Sequence, residues 1–329
     1  MCATSSPVSP LNYFMQRKEH DRPVYPFAPI ASRDALARML RCSVEELSRF
    51  ESTANDLYRE VRKLKKDGTH RICYDARTPL KGIQGRIECM ILKKVRYPVY
   101  LMGGLADRQR PRDYVRNATV HAGARVLINE DVKSFFPSTS SRVVFDIWRH
   151  LFHFPADVAQ TLTRLTTRAG ALPQGAKTSS YLANLVFWGI EPGLVARLHS
   201  LGFKYTRYID DMTISSRTDR TRDELGLVLS LLAGMLKRHG LSFKRNKHTL
   251  VYAGQRMVVT GLVVGEESAG LGRAKRSSIR ALVHRCETDA TDSPEHAAMK
   301  RKASSLVGQY ARLHRKQGQA LKRRLKGKP

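Results

Sequence analysis

Residues 203–216 read Phe-Lys-Tyr-Thr-Arg-Tyr-Ile-Asp-Asp-Met-Thr-Ile-Ser-Ser, and no other stretch constrains the fold as tightly. Two β-rich runs flank Asp210 and Asp211, and their alternation predicts a hairpin with two adjacent carboxylates at its tip. Side chains alternate along a strand, so neighbouring carboxylates reach one site only at a turn or bend. Side by side they repel each other. A divalent cation offsets that cost, and Mg²⁺ takes carboxylate together with substrate phosphate oxygens. A solvated Asp-Asp turn fits the same two residues, since turns favour Asp. The order of the neighbouring segments has to decide between the two.

Charge narrows the class of partner. The 329 residues carry 58 Lys and Arg against 29 Asp and Glu, a formal net charge of +29. So large an excess implies a polyanion, most simply nucleic acid, with an anionic membrane surface as the other reading. No apolar run reaches the roughly 18 residues of a spanning helix, and the N-terminus lacks a secretory apolar region. The five cysteines include no C-x-x-C pair. A zinc site or disulfide framework is therefore not expected, and a cytoplasmic location is. The length allows two or three domains.

Residues 1–30 read as an irregular, Pro-rich arm. Ser32 is placed to cap a helix carrying Leu36, Met39 and Leu40, and Ser43-Val-Glu-Glu46 forms a capping box for a second. Residues 54–66 read as a helix that turns basic at Arg62, Lys63, Lys65 and Lys66. Asp67-Gly68 is then a turn signal, and Thr69 to Tyr74 a strand. A hairpin with Lys and Arg near its tip can close over phosphates; a solvated basic hairpin fits as well. A helix from about Ile83 to Val95 follows, with Ile87, Met90 and Ile91 on one face. Asn117 and His121 lie four apart and read locally as surface or hydrogen-bonded core residues.

Arg125 to Val132 alternates as a strand ending on Asp131, before Lys133-Ser-Phe-Phe-Pro137. Ser140 or Ser141 caps a helix with Val144, Ile147, Trp148 and Leu151 inward. Leu172-Pro-Gln-Gly175 is a turn before a helix capped by Thr178 or Ser179. Pro192 opens the next helix, which ends at Gly202. Thr221-Arg-Asp-Glu224 is a further capping box, for a helix with Leu225, Val228, Leu229, Leu232, Met235 and Leu236 on one side, stopped by Gly240. Short strands fill 241–264, with Asn246 and Lys247 in a turn and Met257 to Val264 as the last β-run. Residues 266–272 read as a linker. From residue 271 onward, 16 Lys and Arg face four acids, over two amphipathic helices and a frayed basic tail.

Three carboxylates thus stand in order, Asp131 closing one strand and Asp210-Asp211 crowning a hairpin. Together they suit two Mg²⁺ ions, one activating an attacking hydroxyl and one stabilising a leaving pyrophosphate. Tyr208-Ile-Asp-Asp211 resembles the Y-x-D-D box of reverse transcriptases. Asp131-Val-Lys-Ser-Phe-Phe-Pro137 resembles their first palm motif, and Leu172-Pro-Gln-Gly175 the motif before their second palm helix. Asn117-Ala-Thr-Val-His121 and Val259-Thr-Gly261 resemble elements of the bacterial retron-type enzymes. Departures are Lys177 and Ser180 where relatives carry prolines, Ser134 where an acid is frequent, and Ile209 in place of Ala or Val.

The resemblance implies an α+β right-hand polymerase fold. Residues 1–53 would be the N-terminal arm and small helices, 54–120 the fingers, 121–266 the palm, and 267–329 a basic helical thumb and tail. It implies that Asp131, Asp210 and Asp211 hold two Mg²⁺ ions, or Mn²⁺ as substitute, with the Val132 carbonyl nearby. Phe136 would gate against the 2′-hydroxyl and Gln174 line the incoming dNTP. Arg71, with Lys65 or Lys66, would grip the triphosphate, with Lys247 near the leaving group. Asn117, His121, Thr260, Gly261, Arg312, Arg315 and Lys316 would meet RNA. The implied partners are a cognate noncoding RNA, copied into a branched RNA–DNA product (msDNA), and an effector protein in anti-phage defence. Competing readings are another bacterial reverse transcriptase, whether intron-derived or of another defence type, and a non-catalytic RNA-binding protein that keeps a polymerase shell.

Overall fold

In the computed structural model, residues 22–64, 68–107, 111–289 and 293–327 are described. Lys65, Lys66 and Asp67 lie outside them. Helix α1 (Arg33–Met39) starts where Ser32 Oγ accepts from the Ala35 N–H, and α2 (Val44–Thr53) has both halves of the Ser43/Glu46 capping box. The helix expected over 54–66 is instead strand β1 (Tyr58–Leu64), paired antiparallel with β2 (His70–Ala76) from Tyr58↔Ala76 to Leu64↔His70. Cross-strand pairing overrides the local helical pattern, and Tyr58 is fixed inward by the Gln84 amide, which donates to its hydroxyl at 2.7 Å.

Helix α3 (Leu80–Met90) buries Leu80, Ile83, Gln84 and Ile87. It stops five residues short of the expected end, before a tight 3₁₀ turn, Leu92–Lys94. Met90 is 45% exposed, so it is not on the inward face as read. Helix α4 (Tyr114–Val120) is capped by Asp113. Strand β3 (Val126–Asp131) leads to a single helical turn, α5 (Phe135–Ser138), then α6 (Ser141–Asp146), whose last turn widens through Ile147–Leu151. Helices α7 (Ala156–Thr166), α8 (Ser179–Leu185) and α9 (Glu191–Ser200) follow. The hairpin β4 (Lys204–Tyr208) and β5 (Asp211–Ser216) leads to α10 (Arg222–Arg238), again with a complete capping box, and then to β6 (Thr249–Tyr252).

Strands β4, β5, β3 and β6 form one antiparallel sheet in that order. Its central pair, β3 and β5, runs from Val126↔Ser216 to Asp131↔Asp211. That register brings the two carboxylate-bearing strand ends together at one edge. Under the sheet lies a continuous core including Ile128, Phe135, Trp148, Leu182, Phe187, Ile214 and Leu232, which extends to Leu36 and Leu47 of the first helices.

The run expected as one last strand folds back on itself as β7 (Val258–Val259) and β8 (Leu262–Val264). Thr260 (φ 46) and Gly261 (φ 82) form its two-residue turn, the positive-φ geometry that matches hairpin twist. The expected linker carries β9 (Ala269–Gly270), third strand of this small sheet. The C-terminal part holds three helices rather than two, α11 (Arg273–Thr288), α12 (Pro294–Leu313) and α13 (Arg315–Leu325). The segment expected as frayed tail is ordered through α13, because Leu321 is buried in the second core with Ile279, Val307 and Tyr310. Among the described residues no helix is long and apolar enough to cross a membrane.

Candidate active site

The Tyr208–Asp211 turn is built as the alternation demands. Ile209 takes a left-handed conformation (φ 62), which is rare for a β-branched residue and re-aims the chain between the strands. Tyr208 pairs with Asp211 across the hairpin, and Val132 N–H donates to the Asp210 carbonyl at 3.0 Å. Asp131 therefore ends its strand beside both hairpin carboxylates. The turn is also braced from outside. The segment Tyr100–Met102 pairs with the backbone of Arg207. A side-chain carbon on Gly103 would meet the Tyr208 ring at 2.8 Å, and one on Gly104 would meet Ser180 Cβ at 2.7 Å. Only glycine lets this strap lie so close. Ser180 and Ile209, two departures from the family pattern, thus face each other across Gly104, whereas Lys177 is exposed.

A cleft of about 1360 Å³ opens at this sheet edge. Its walls include Asp131, Val132, Phe136, Gln174, Asp210, Lys247 and Arg71, gathering seven of the predicted site residues from five separate segments. Asp211 stands just behind Asp210, and Lys65 lies outside the described residues. The Tyr74 N–H donates to the Gln174 carbonyl at 2.8 Å, which docks the β1–β2 hairpin onto the Leu172–Gly175 loop. Phe135 and Phe136 divide the work of the aromatic pair. Phe135 is 2% exposed and stacks on Phe187 at 5.8 Å, while Phe136 is half-buried and faces the cleft.

The acids sit in an electrostatically unfavourable place. Burial pushes the Asp211 carboxyl up to about 7, helped by the Asp210 charge and a hydrogen bond with Asp131. Burial also raises Asp210, with the Asp131 charge adding to it, against the opposing pull of Lys247 and Arg71. Lys247 Nζ forms a short salt bridge with Asp131. Burial works against the Lys247 ammonium, but that bond and the neighbouring carboxylates carry its pKa upward. Among the described residues no set of three or more His, Cys, Asp or Glu stands ready-made as a metal-binding group; the Asp131 carboxylate is engaged by Lys247 instead. The donor set nevertheless suits hard divalent cations: three crowded carboxylates and the Val132 carbonyl, with burial and mutual repulsion raising the Asp210 and Asp211 carboxyls above the usual range.

Local sequence did not signal several further members of the cleft. Arg168 lies over the Tyr74 ring at 4.1 Å and lines the cleft with Lys133, Lys244 and Arg245. Lys244 is brought there by its N–H bond to the Asp131 carbonyl, 2.7 Å. Nothing around residue 168 marks it; only the fold brings it near.

The expected RNA contacts divide. Asn117 and His121 are fully buried, so neither side chain faces a polyanion. His121 sits between Ser215 Oγ (2.7 Å) and Thr206 Oγ1 (2.8 Å). Burial, with Lys204 nearby, drives its pKa down to about 3, so the ring is neutral. It ties α4 to the central sheet, which is the hydrogen-bonded core reading its local sequence allowed. Thr260 donates to the Tyr114 carbonyl at 2.9 Å, joining the Val259-Thr-Gly261 turn to the start of the same helix, while Gly261 is exposed. Arg312 is held in an ion pair by Asp113, the cap of α4. Arg315 and Lys316 are exposed on α13.

This edge of a four-stranded antiparallel sheet, with carboxylates at two strand ends and a basic cleft before them, has the layout of a template-copying polymerase, and the sequence comparisons show that class. The model of the family described as reverse transcriptase (RNA-dependent DNA polymerase) matches residues 63–286. Retron Se72 reverse transcriptase of Salmonella heidelberg (strain 579083-10) is 34% identical over 300 residues, 89% of this chain and 78% of that protein. Retron Ec86 reverse transcriptase of Escherichia coli is 30% identical over 263 residues, 79% of this chain and 80% of that one. Among solved structures, telomerase from Candida albicans aligns with a TM-score of 0.42 and 11% identity, over 84% of this chain and 59% of that chain. The chain belongs to the retron reverse transcriptases. It is accordingly an RNA-directed DNA polymerase with the α+β right-hand fold, and its template partner is RNA.

Proposed function

We propose that the enzyme copies a cognate structured noncoding RNA into a branched RNA–DNA molecule (msDNA), using dNTPs and two Mg²⁺ ions, and acts with an effector protein in anti-phage defence. The observation carrying the catalytic part is the convergence of Asp131 and Asp210 on one cleft with Arg71, Phe136, Gln174 and Lys247, while Asp211 pairs in register with Asp131 at the same sheet edge. Asp131, Asp210 and Asp211, with the Val132 carbonyl nearby, would hold the metals. Held there, they would supply activation of the attacking hydroxyl and charge neutralisation at the pyrophosphate.

The protein's own groups do the rest. Arg71 reaches the cleft from β2 and neutralises triphosphate charge. Gln174, whose backbone is fixed by Tyr74, lines the nucleotide. Phe136 offers its half-buried ring against the sugar. Lys247, now paired with Asp131, lies on the cleft wall where its ammonium would neutralise charge on a leaving pyrophosphate. Exposed Arg315 and Lys316, the Gly261 turn and the remaining basic surface of α11–α13 hold folded RNA by shape and phosphate contact.

The test compares Asp210→Ala and Asp211→Ala with wild type. Each should lower Mg²⁺-dependent DNA synthesis by at least about 10²–10³-fold, the range for losing one preorganised charge-stabilising group, with RNA binding retained. Undiminished primer extension by both variants would sink the assignment. Sequencing the nucleic acid that co-purifies with the full chain tests the branched product: a 2′-linked RNA–DNA junction supports it, and linear DNA alone refutes it.

A further inference from the structure

Beneath the catalytic turn lies a buried charge that metal and nucleotide binding do not call for. Arg207 is 0% exposed and Glu191 1%. The guanidinium donates from Nε to Glu191 Oε1 at 2.6 Å and from Nη2 to Oε2 at 2.7 Å, the two-pronged geometry that fixes a guanidinium plane. Tyr205 Oη donates to the same carboxylate at 2.7 Å. The remaining donors reach backbone. Nη2 meets the Asn184 carbonyl at 3.0 Å, and Nη1 meets the Ile209 carbonyl at 2.9 Å. That last carbonyl belongs to the left-handed residue between Tyr208 and Asp210.

A buried ion pair seldom adds net stability over apolar residues of the same size, since desolvation cancels much of the attraction. What it adds here is direction. Ile209 sits in a conformation that β-branched residues avoid, and such a conformation persists only where the surroundings over-determine it. Three restraints do so. The Gly103–Gly104 strap covers the turn, the Val132 N–H holds the Asp210 carbonyl, and Arg207 holds the Ile209 carbonyl from below. Arg207 also ties the turn directly to α8 and α9, through the Asn184 carbonyl and Glu191. The length and planarity of guanidinium let one group hold Glu191 and Ile209 together; an ammonium offers no such fork.

We propose that Arg207, oriented by Glu191, is a positioning residue for DNA synthesis: it locks Ile209 left-handed and thereby aims the Asp210 and Asp211 carboxylates. The inference rests on the reading of those two acids as metal ligands. Freed of this restraint, the turn relaxes and the carboxylates lose alignment with each other and with Asp131, while the cleft walls that bind nucleotide and RNA stay as they are.

The test uses the full chain with Arg207→Met and Glu191→Gln combined, which removes both charges and leaves neither buried alone. Thermal melting and affinity for an annealed RNA template–DNA primer should stay at wild-type values. Misalignment on the ångström scale should lower kcat by about 10–100-fold with the KM for dNTP little changed. Calorimetric Mn²⁺ binding should weaken, and amide exchange should quicken at residues 209–212; neither change follows from a role in stability alone. A folded double variant with wild-type kcat, Mn²⁺ affinity and exchange overturns the proposal. Should that variant fail to fold, Arg207→Lys keeps the charge opposite Glu191 without the fork, and wild-type values in it overturn the proposal equally. Asp210→Ala, measured alongside, separates the two ideas. Its retention of activity refutes the metal-ligand reading, whereas its loss beside a fully active double variant refutes only the positioning role.

Discussion

Phe135 and Phe136 are adjacent in sequence, one fully buried and the other only partly, which makes them a controlled pair for testing the sugar gate. Phe135 is 2% exposed and stacked on Phe187, so Phe135→Ala should cost about 3–5 kcal/mol, the usual range for a fully buried ring. Phe136 is partly buried, with its outer face on the cleft. Most of its area leaves water on folding, so Phe136→Ala should cost roughly 2–3 kcal/mol by the same reasoning, somewhat less than the Phe135 change. Against a typical total stability of about 5–15 kcal/mol, the Phe136 variant folds, while the Phe135 variant is strongly destabilised. A ring that merely packs changes stability alone. A ring that meets the 2′ position also changes choice of sugar: removing a steric contact of this kind is worth about 1–3 kcal/mol, or roughly 10–200-fold in relative kcat/KM. Single-nucleotide extension with each rNTP against its dNTP, beside a thermal melt, reads both quantities. The rNTP:dNTP ratio should rise by that factor in Phe136→Ala. A folded Phe136 variant with wild-type sugar preference refutes the gate and leaves the ring a packing group.

The raised Asp211 carboxyl predicts a pH and metal linkage. Its folded pKa of about 7 exceeds the unfolded value, so the folded state holds the proton more tightly and stability falls as pH rises from about 4 to about 7, by at most about 4 kcal/mol. Melting curves without metal should show this slope in wild type and lose it in Asp211→Asn, and Mg²⁺ should stabilise wild type more at pH 8 than at pH 5; identical pH curves for the two proteins would contradict the crowding of these acids. In the C-terminal part, Arg312 is paired with Asp113, so the free phosphate contacts are assigned to Arg315 and Lys316. Replacing those two with Gln should flatten the log–log salt slope for cognate RNA by up to about 1.4–1.8, and overlapping slopes in salt titrations would remove both from the interface. Gly318 packs so closely on α12 that an added Cβ would lie 2.2 Å from Ala311 Cα. Gly318→Ala should therefore cost about 1–3 kcal/mol as an overpacking change, read by denaturant unfolding, and an unchanged midpoint would argue against the α12–α13 contact.

The sequence by itself determined the elements whose signals are local. Capping boxes at Ser43 and Thr221 mark their helices because both hydrogen bonds lie within four residues. The Asp210-Asp211 hairpin is legible because alternation on either side leaves the turn no other place. The family motifs carried the site's chemistry, and the sheet register placed Asp131 opposite Asp211. Tertiary structure decided what depends on a distant partner. Residues 58–64 are a strand because β2 satisfies their backbone, and their own pattern says helix. Asn117 and His121 are interior because α4 lies against β4 and β5, although their motif suggests an RNA-facing surface. The last helix, α13, is ordered by the pocket that receives Leu321, while its basic composition reads as a tail. Glu191 and Arg207 look like ordinary surface charges sixteen residues apart. Only the packing of α9 against the central sheet, which excludes water from both, turns them into a pair and aims that pair at the catalytic turn.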